Sequence, residues 1–244
     1  MSEPAKRPLF AVLIDADNIP ARYAEDILKE IAAFGEPALR RVYGDWSSGQ
    51  LASWTKQVRE LGLVAHQESA NTKGKNASDI GLVIDAMDIL HSGRFDGFVL
   101  VSSDSDFTAL ANRIREQGLE VIGIGEAKTP DSLKNVCNRF IRIENIAEVP
   151  ESPTGQTAGS KSENPSGAVP LIRKAMAAIP QDAEWYTLGQ IGQFLTVIKP
   201  DFDSRTYGYS KLSDLVRKLS QFELRQQGNR LEIRKAKSKS AGKT

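Results

Sequence analysis

The chain has 244 residues, 40% of them hydrophobic and 26% charged, enough for one medium and one small domain with apolar cores. A single cysteine, Cys137, excludes an internal disulfide framework and a thiolate metal cluster, and it fits a reducing compartment. The polar start, Met1–Pro8, lacks the apolar core of a signal peptide, and the longest apolar runs are only strand-length, so neither export nor a membrane span is expected. The net charge of +1 conceals an asymmetry: residues 1–150 carry a net −5 and residues 168–244 a net +7. A basic module attracts polyanions, whereas an acidic one repels them unless cations sit in it.

In chain order, Leu9–Ile14 reads as a buried strand ending at Asp15. Arg22–Phe34 has helical spacing and is stopped by Gly35. Leu39–Tyr43 reads as a second strand, Leu51–Leu61 as a helix closed by Gly62, and Leu63–His66 as a third strand. Ser69–Ala77 is polar and loop-like. Asp79–Leu90 is a helix whose apolar stripe is predicted to be Ile80, Val83, Ile84, Met87 and Leu90. A fourth strand, Phe98–Ser102, leads into a helix over Asp106–Gln117. Val121–Gly125 is a fifth strand, Asp131–Val136 a short helix and Phe140–Ile143 a last strand. This alternation predicts an α/β fold, a mostly parallel sheet flanked by helices.

Residues 148–167, rich in Pro, Ser, Gly and Thr, read as a flexible linker. Beyond it, Val169–Ile179, Leu188–Ile198 and Leu212–Leu219 have helical patterns. Phe222–Arg225 and Arg230–Arg234 flank Gln-Gln-Gly-Asn, a hairpin turn signal. Three helices and a hairpin predict a small winged-helix-like domain over 168–235, with a basic disordered tail over 236–244.

The acids fall in a pattern. Asp15 and Asp17 follow the first strand, Asp104 and Asp106 follow the fourth, and Asp79 opens a helix. Parallel strands put their carboxyl ends along one edge, where open α/β sheets bind ligands. Carboxylates gathered there repel one another, and hard divalent ions such as Mg²⁺ or Mn²⁺ relieve the repulsion. Such an ion lowers the pKa of a bound water, and a second one about 4 Å away stabilises the leaving oxygen of a phosphodiester. Asn18 is placed to orient a ligand or water, Lys75 to neutralise a scissile phosphate, and Ser103 and Ser105 to donate hydrogen bonds to phosphate. Taken singly, Asp17, Asp79 and Asp106 read equally well as helix caps; two strands that both end in Asp-x-Asp make the joint pattern harder to dismiss. Asp85 and Asp88 read as solvated-face acids, His66 and His91 as isolated, and Cys137 as inert core. Gly123-Ile124-Gly125 is too short for a dinucleotide loop.

Three segments carry a family resemblance: Leu13-Ile14-Asp15-Ala16-Asp17-Asn18, Lys75-Asn76-Ala77-Ser78-Asp79-Ile80 and Val101-Ser102-Ser103-Asp104-Ser105-Asp106-Phe107. Over residues 8–147 the chain resembles the NYN domain, in the LabA-like branch of the PIN-like nucleases. The resemblance implies a PIN-like fold and metal-dependent ribonuclease chemistry. It makes Asp15, Asp79, Asp104 and Asp106 the metal-binding acids, with Asp17 as a further candidate. Pro170-Leu171-Ile172, Asp182-Ala183-Glu184-Trp185 and Tyr209-Ser210-Lys211-Leu212-Ser213-Asp214-Leu215-Val216 resemble the LOTUS domain, also called OST-HTH. That likeness implies RNA as partner, with a protein partner in some members, and the pairing of the two domains implies a bacterial, cytoplasmic source.

In the C-terminal segment Lys211, Arg217, Lys218, Arg225, Arg230 and Arg234 supply the positive charge for RNA, and Tyr207 and Tyr209 are candidates for base stacking. The bland reading is that these charges only keep a small domain soluble. Two other functions compete with the nuclease. In a haloacid-dehalogenase-type phosphatase Asp15 would be the nucleophile and Asp17 the acid–base, but the tight Ser-Asp-Ser-Asp and the basic domain argue against it. A non-catalytic RNA-binding adaptor would keep the fold without the chemistry.

Overall fold

The computed structural model describes residues 6–47, 49–67, 77–146, 162–181 and 183–236. Lys75 and most of the predicted 69–77 loop, residues 148–161 of the predicted linker and residues 237–244 of the predicted tail lie outside the described residues. The chain forms two units, Met1–Ala158 and Gly159–Thr244.

The first unit holds strands β1 (Leu9–Asp15), β2 (Glu36–Gly44), β3 (Val64–Gln67), β4 (Gly97–Val101), β5 (Glu120–Gly125) and β6 (Arg139–Arg142). They form one sheet in the order β3-β2-β1-β4-β5-β6, and every neighbouring pair is parallel. The central strands are covered on both faces, which is why their sequences are continuous apolar runs rather than alternating ones. Along β1 the alternation is purely one of direction. Val12 and Ile14 join the core of helices α1 (Ala24–Ala32) and α2 (Ala52–Leu61), with Ile27, Ile31 and Trp54. Ala11 and Leu13 join the opposite core. There they meet helices α3 (Ala77–His91), α4 (Thr108–Glu116) and α5 (Asp131–Val136), through Leu82, Ala86, Leu110, Ile114 and Leu133. A short helix α6 (Ile143–Ile146) follows β6.

The buried face of α3 matches the predicted stripe only in part: Leu90 is buried and Val83 and Met87 pack against the core, but Ile80 and Ile84 do not. Leu82, Ala86, Ile89 and Leu90 are buried, while Ile80 and Ile84 are 61% and 59% exposed. The helix is apolar nearly all round, so spacing alone offers two equally good faces. Tertiary packing over β1 and β2 selects between them.

The second unit contains helices α7 (Ala168–Ala178), α8 (Leu188–Ile198) and α9 (Leu212–Arg217) and strands β7 (Tyr186–Thr187), β8 (Phe222–Gln227) and β9 (Arg230–Lys235). The strands form an antiparallel sheet in the order β7-β9-β8. The hairpin turn is Gly228-Asn229, with Gly228 at φ 57°, a conformation glycine adopts without strain. Ile172, Ala175, Met176, Ile191, Leu195, Leu215 and Ile233 form the core. Two features depart from the sequence reading. The two-residue β7 is too short to leave a periodic signal. Residues 162–167, read as linker, are ordered onto this unit: Glu163 N–H donates to the Thr206 carbonyl at 2.8 Å, and Asn164 caps a 3-10 turn over Pro165–Gly167. Among the described residues no helix is long and apolar enough to cross a membrane.

Candidate metal centre

From β1 the chain winds outward through β2 and β3, and from β4 it winds the other way through β5 and β6. A crevice therefore opens at the carboxyl ends of β1 and β4, where the connections diverge. Ile14 pairs with Val101 in register, so Asp15 and Ser102 emerge side by side.

Asp15 is 1% exposed. Its Oδ2 accepts the Asn18 side-chain amide at 2.6 Å and the Ser102 hydroxyl at 2.9 Å. Its Oδ1 accepts the backbone N–H groups of Asp17 and Asn18 at 3.1 and 3.3 Å. Burial raises its pKa, and the bonds from Asn18 and Ser102 only partly offset that, so the net shift is upward. These four bonds use about all the acceptor sites of a carboxylate.

Ser102, itself 2% exposed, also accepts the Asp104 N–H at 3.1 Å. It thereby links the two strand-end acids. Asp104 caps the 3-10 turn Ser105–Phe107, its Oδ1 accepting the Asp106 N–H at 2.8 Å. The cap is thus Asp104, not Asp106. Asp17 caps neither the following 3-10 turn nor α1. Asp104 is half-buried, while Asp106, Asp17 and Asn18 are exposed. Ser103 accepts the Glu126 N–H at 2.9 Å, tying this loop to the end of β5, and Ser105 is half-buried.

Asp79, in the first turn of α3, ties the acids together electrostatically. Its pKa is pushed up to about 6, first by burial and then by Asp15, Asp104, Asp106 and Asp17. Five carboxylates therefore share one crevice. They do not form a closed shell: among the described residues no three of His, Cys, Asp and Glu converge closely enough to hold one ion. The donor set is nonetheless all carboxylate oxygen and mutually repulsive, which is the chemistry a hard divalent cation relieves.

Sequence reasoning missed Ser102, whose only signal is its place at the end of a buried strand ahead of the two acids. It also misjudged Asp85. Far from being solvated, Asp85 is partly buried and accepts hydrogen bonds from Arg41 and Tyr43, because α3 lies across β2 and turns this residue inward. Asp88 and His91 are exposed. The His66 ring packs at 5.2 Å from that of Tyr43. Cys137 is buried, and burial pushes its thiol up to about 12.

In the second unit the basic residues divide into two sets. Arg225 and Arg234 stack on the Trp185 ring at 4.1 and 4.6 Å. Arg225 also pairs with Glu232, and Arg234 with Glu184 and Glu223. These two guanidiniums hold the small sheet together. Arg217 pairs with Asp214 at 3.2 Å. Lys211, Lys218 and Arg230 are exposed, and Lys211 and Arg230 line a cavity of about 570 Å³ with Leu188, Leu212 and Asn229. Tyr207 is 5% exposed and packs on Phe202, with ring centroids 5.9 Å apart. This corrects its reading as a base-stacking residue, since core packing has taken its ring faces. Tyr209 is half-buried against the same core.

A parallel α/β sheet with acids gathered at the divergence of its strands, joined to a small domain of helices and antiparallel strands, defines a PIN-like protein with an appended module. The chain belongs to the NYN domain family, whose model matches residues 10–144. The OST-HTH/LOTUS domain model matches residues 160–233. A crystal structure of a protein of unknown function from Vibrio parahaemolyticus RIMD 2210633 is similar at TM-score 0.50 and 19% identity, covering 58% of this chain and 96% of that one; the likeness is one of fold. The solution structure of an uncharacterized protein from Nitrosomonas europaea aligns at 28% identity and TM-score 0.27, over 37% of this chain and 89% of that one. No curated protein matches the chain.

Proposed function

We propose that this protein is a metal-dependent ribonuclease that hydrolyses RNA phosphodiester bonds at the Asp15–Asp79–Asp104–Asp106 crevice, while its C-terminal domain binds the RNA. The NYN and OST-HTH/LOTUS domains fit an RNA-related function. The observation that carries the nuclease reading is the cluster of acids around the ends of β1 and β4, where Asp15 and Asp104 are linked through Ser102 and where burial first, then four neighbouring carboxylates, push up the pKa of Asp79. Mg²⁺ or Mn²⁺ bound there supplies a water of lowered pKa and neutralises charge on the phosphate.

Asp79, Asp104 and Asp106 offer the more accessible oxygens. Because no three acids among the described residues converge on one point, a bound ion would be held by fewer than three of them at once, with water completing its shell and Asp17 as a further candidate ligand. Asp15 adds buried negative charge, and contacts the ion directly only by giving up a bond from Ser102 or Asn18. Ser102 fixes the positions of both Asp15 and Asp104. Ser103 and Ser105 face the phosphate, and Lys75, outside the described residues, offsets its charge. The phosphatase reading needs Asp15 as nucleophile. At 1% exposure and with both oxygens taken, Asp15 is poorly placed for in-line attack.

The test is cleavage of labelled single-stranded RNA with Mn²⁺ or Mg²⁺ by wild type and Asp104→Asn. Asn keeps the cap of the 3-10 turn, so the fold is retained while one charge is lost. Cleavage should fall by about a hundredfold or more, with RNA binding unchanged. Wild-type binding without cleavage would establish the adaptor instead, and turnover of only a small phosphate monoester through phospho-Asp15 would establish the phosphatase.

A further inference from the structure

Immediately beside the acids the surface turns apolar. Ile80 and Ile84 lie one helical turn apart on α3 and are 61% and 59% exposed. With Val83 and Phe107 they wall a cavity of about 310 Å³, whose remaining lining is Asp79 and Asp106. The fold does not need this pair, because Leu82, Ala86, Ile89 and Leu90 already cover the sheet. An apolar hollow that shares two walls with the acidic crevice is continuous with it.

We propose that this cavity receives an unstacked nucleobase next to the scissile phosphodiester, making Ile80, Val83, Ile84 and Phe107 the base subsite of the enzyme. The proposal rests on the nuclease reading above. In a nucleotide the base hangs from the same sugar as the phosphate, so a strand whose phosphodiester reaches Asp79 and Asp106 brings a base within one sugar's reach. The volume lies at the small-ligand end of the pocket range, suited to one flat ring rather than to a protein element. A second copy of the chain docked on this face would have to strip water from two carboxylates, a heavy cost, whereas a single base leaves the crevice open to solvent.

Two consequences follow from the lining. A base seated here has left its helix, so the substrate is unpaired at that position. Isoleucine, valine and phenylalanine present no hydrogen-bonding groups to a base edge, and Asp79 and Asp106, the rest of the lining, are committed to the cation on the nuclease reading, so the cavity holds any base by its faces and discriminates little among the four.

The experiment is single-turnover cleavage with Mn²⁺ of one single-stranded RNA in which an abasic residue is walked across the cleavage position. It is run with wild type and with Ile80→Gln/Ile84→Gln. Both positions are exposed and glutamine is a good helix former, so the variant folds; its melting temperature verifies this. For wild type, one abasic position next to the scissile bond should slow cleavage about tenfold. The variant should be slowed about as much on intact RNA and be indifferent to that abasic position. A flat abasic profile for an active wild type overturns the inference, as does a variant that keeps the wild-type dependence. A shift in the variant's sedimentation with base dependence intact assigns the face to a second copy and also overturns it. No cleavage of intact RNA by wild type overturns the nuclease reading itself, and the two failures are distinct because only the second is seen without any abasic residue.

Discussion

Asp79 is where the electrostatics of the crevice can be measured. Its ordinary pKa of 3.8 is pushed up to about 6, with burial the largest cause and four neighbouring acids next. Between those values the folded protein holds a proton that the unfolded chain has lost. Ionising Asp79 therefore costs stability, which declines as pH rises from about 4 to about 6 and stays reduced above that. In chelator, Asp79→Asn should melt a few degrees above wild type at pH 7, on the order of 2 °C, and the difference should vanish near pH 4. An equal difference at both pH values would place the effect elsewhere. By the same sign, protons compete with the cation below pH 6, so Mn²⁺ affinity measured by titration calorimetry should weaken from pH 7 to pH 5. Among single residues, the acids were legible because Asp-x-Asp after two strands is unusual. Asp85 was not, because its inward turn depends on α3 crossing β2.

At the scale of elements, β5 shows how the sheet positions the site. A Cβ on Gly125 would lie 2.6 Å from the Ser102 carbonyl oxygen, 2.9 Å from Thr129 Oγ1 and 3.0 Å from the Phe140 ring. The first of these is backbone and cannot swing aside. Gly125→Ala should cost about 1–3 kcal/mol in denaturant unfolding. It should also lower cleavage, because the displaced backbone belongs to Ser102, which holds Asp15 and Asp104. Full stability in the alanine variant would mean that β4 and β5 separate more readily than this packing allows. The strand and helix order of the first domain was readable from period and punctuation. The buried face of α3 was only partly so, since Ile80 and Ile84, left exposed, are as apolar as the residues that face the sheet. β7 was not, because two residues carry no period.

Across the whole molecule the charge divides by domain, net −5 over residues 1–150 and +7 over 168–244. Removing residues 159–244 should weaken binding of single-stranded RNA and flatten its dependence on salt, as counterion release requires. Equal affinity and slope after deletion would show that the basic domain serves a protein partner. Lys211→Ala and Arg230→Ala should each reduce the slope of log K against log salt by about one. Arg234→Ala should instead lower the melting temperature of the domain, since this residue stacks on Trp185 and pairs with two glutamates.

The sequence by itself determined the division into an acidic α/β domain and a basic helical one, and the four acids that lie at strand ends. Both are local matters of period, composition and which residue ends a strand. The tertiary structure alone decided the surroundings of those acids: Ser102 bridging Asp15 to Asp104, burial and then four carboxylates raising Asp79, and an apolar pair on α3 left exposed beside them. It also separated the two arginines that stack on Trp185 and pair with glutamates from Lys211 and Arg230, which line a surface cavity. Burial, mutual repulsion and the choice of helix face are properties of distance in space, and distances between segments far apart in the chain exist only once the strands are paired.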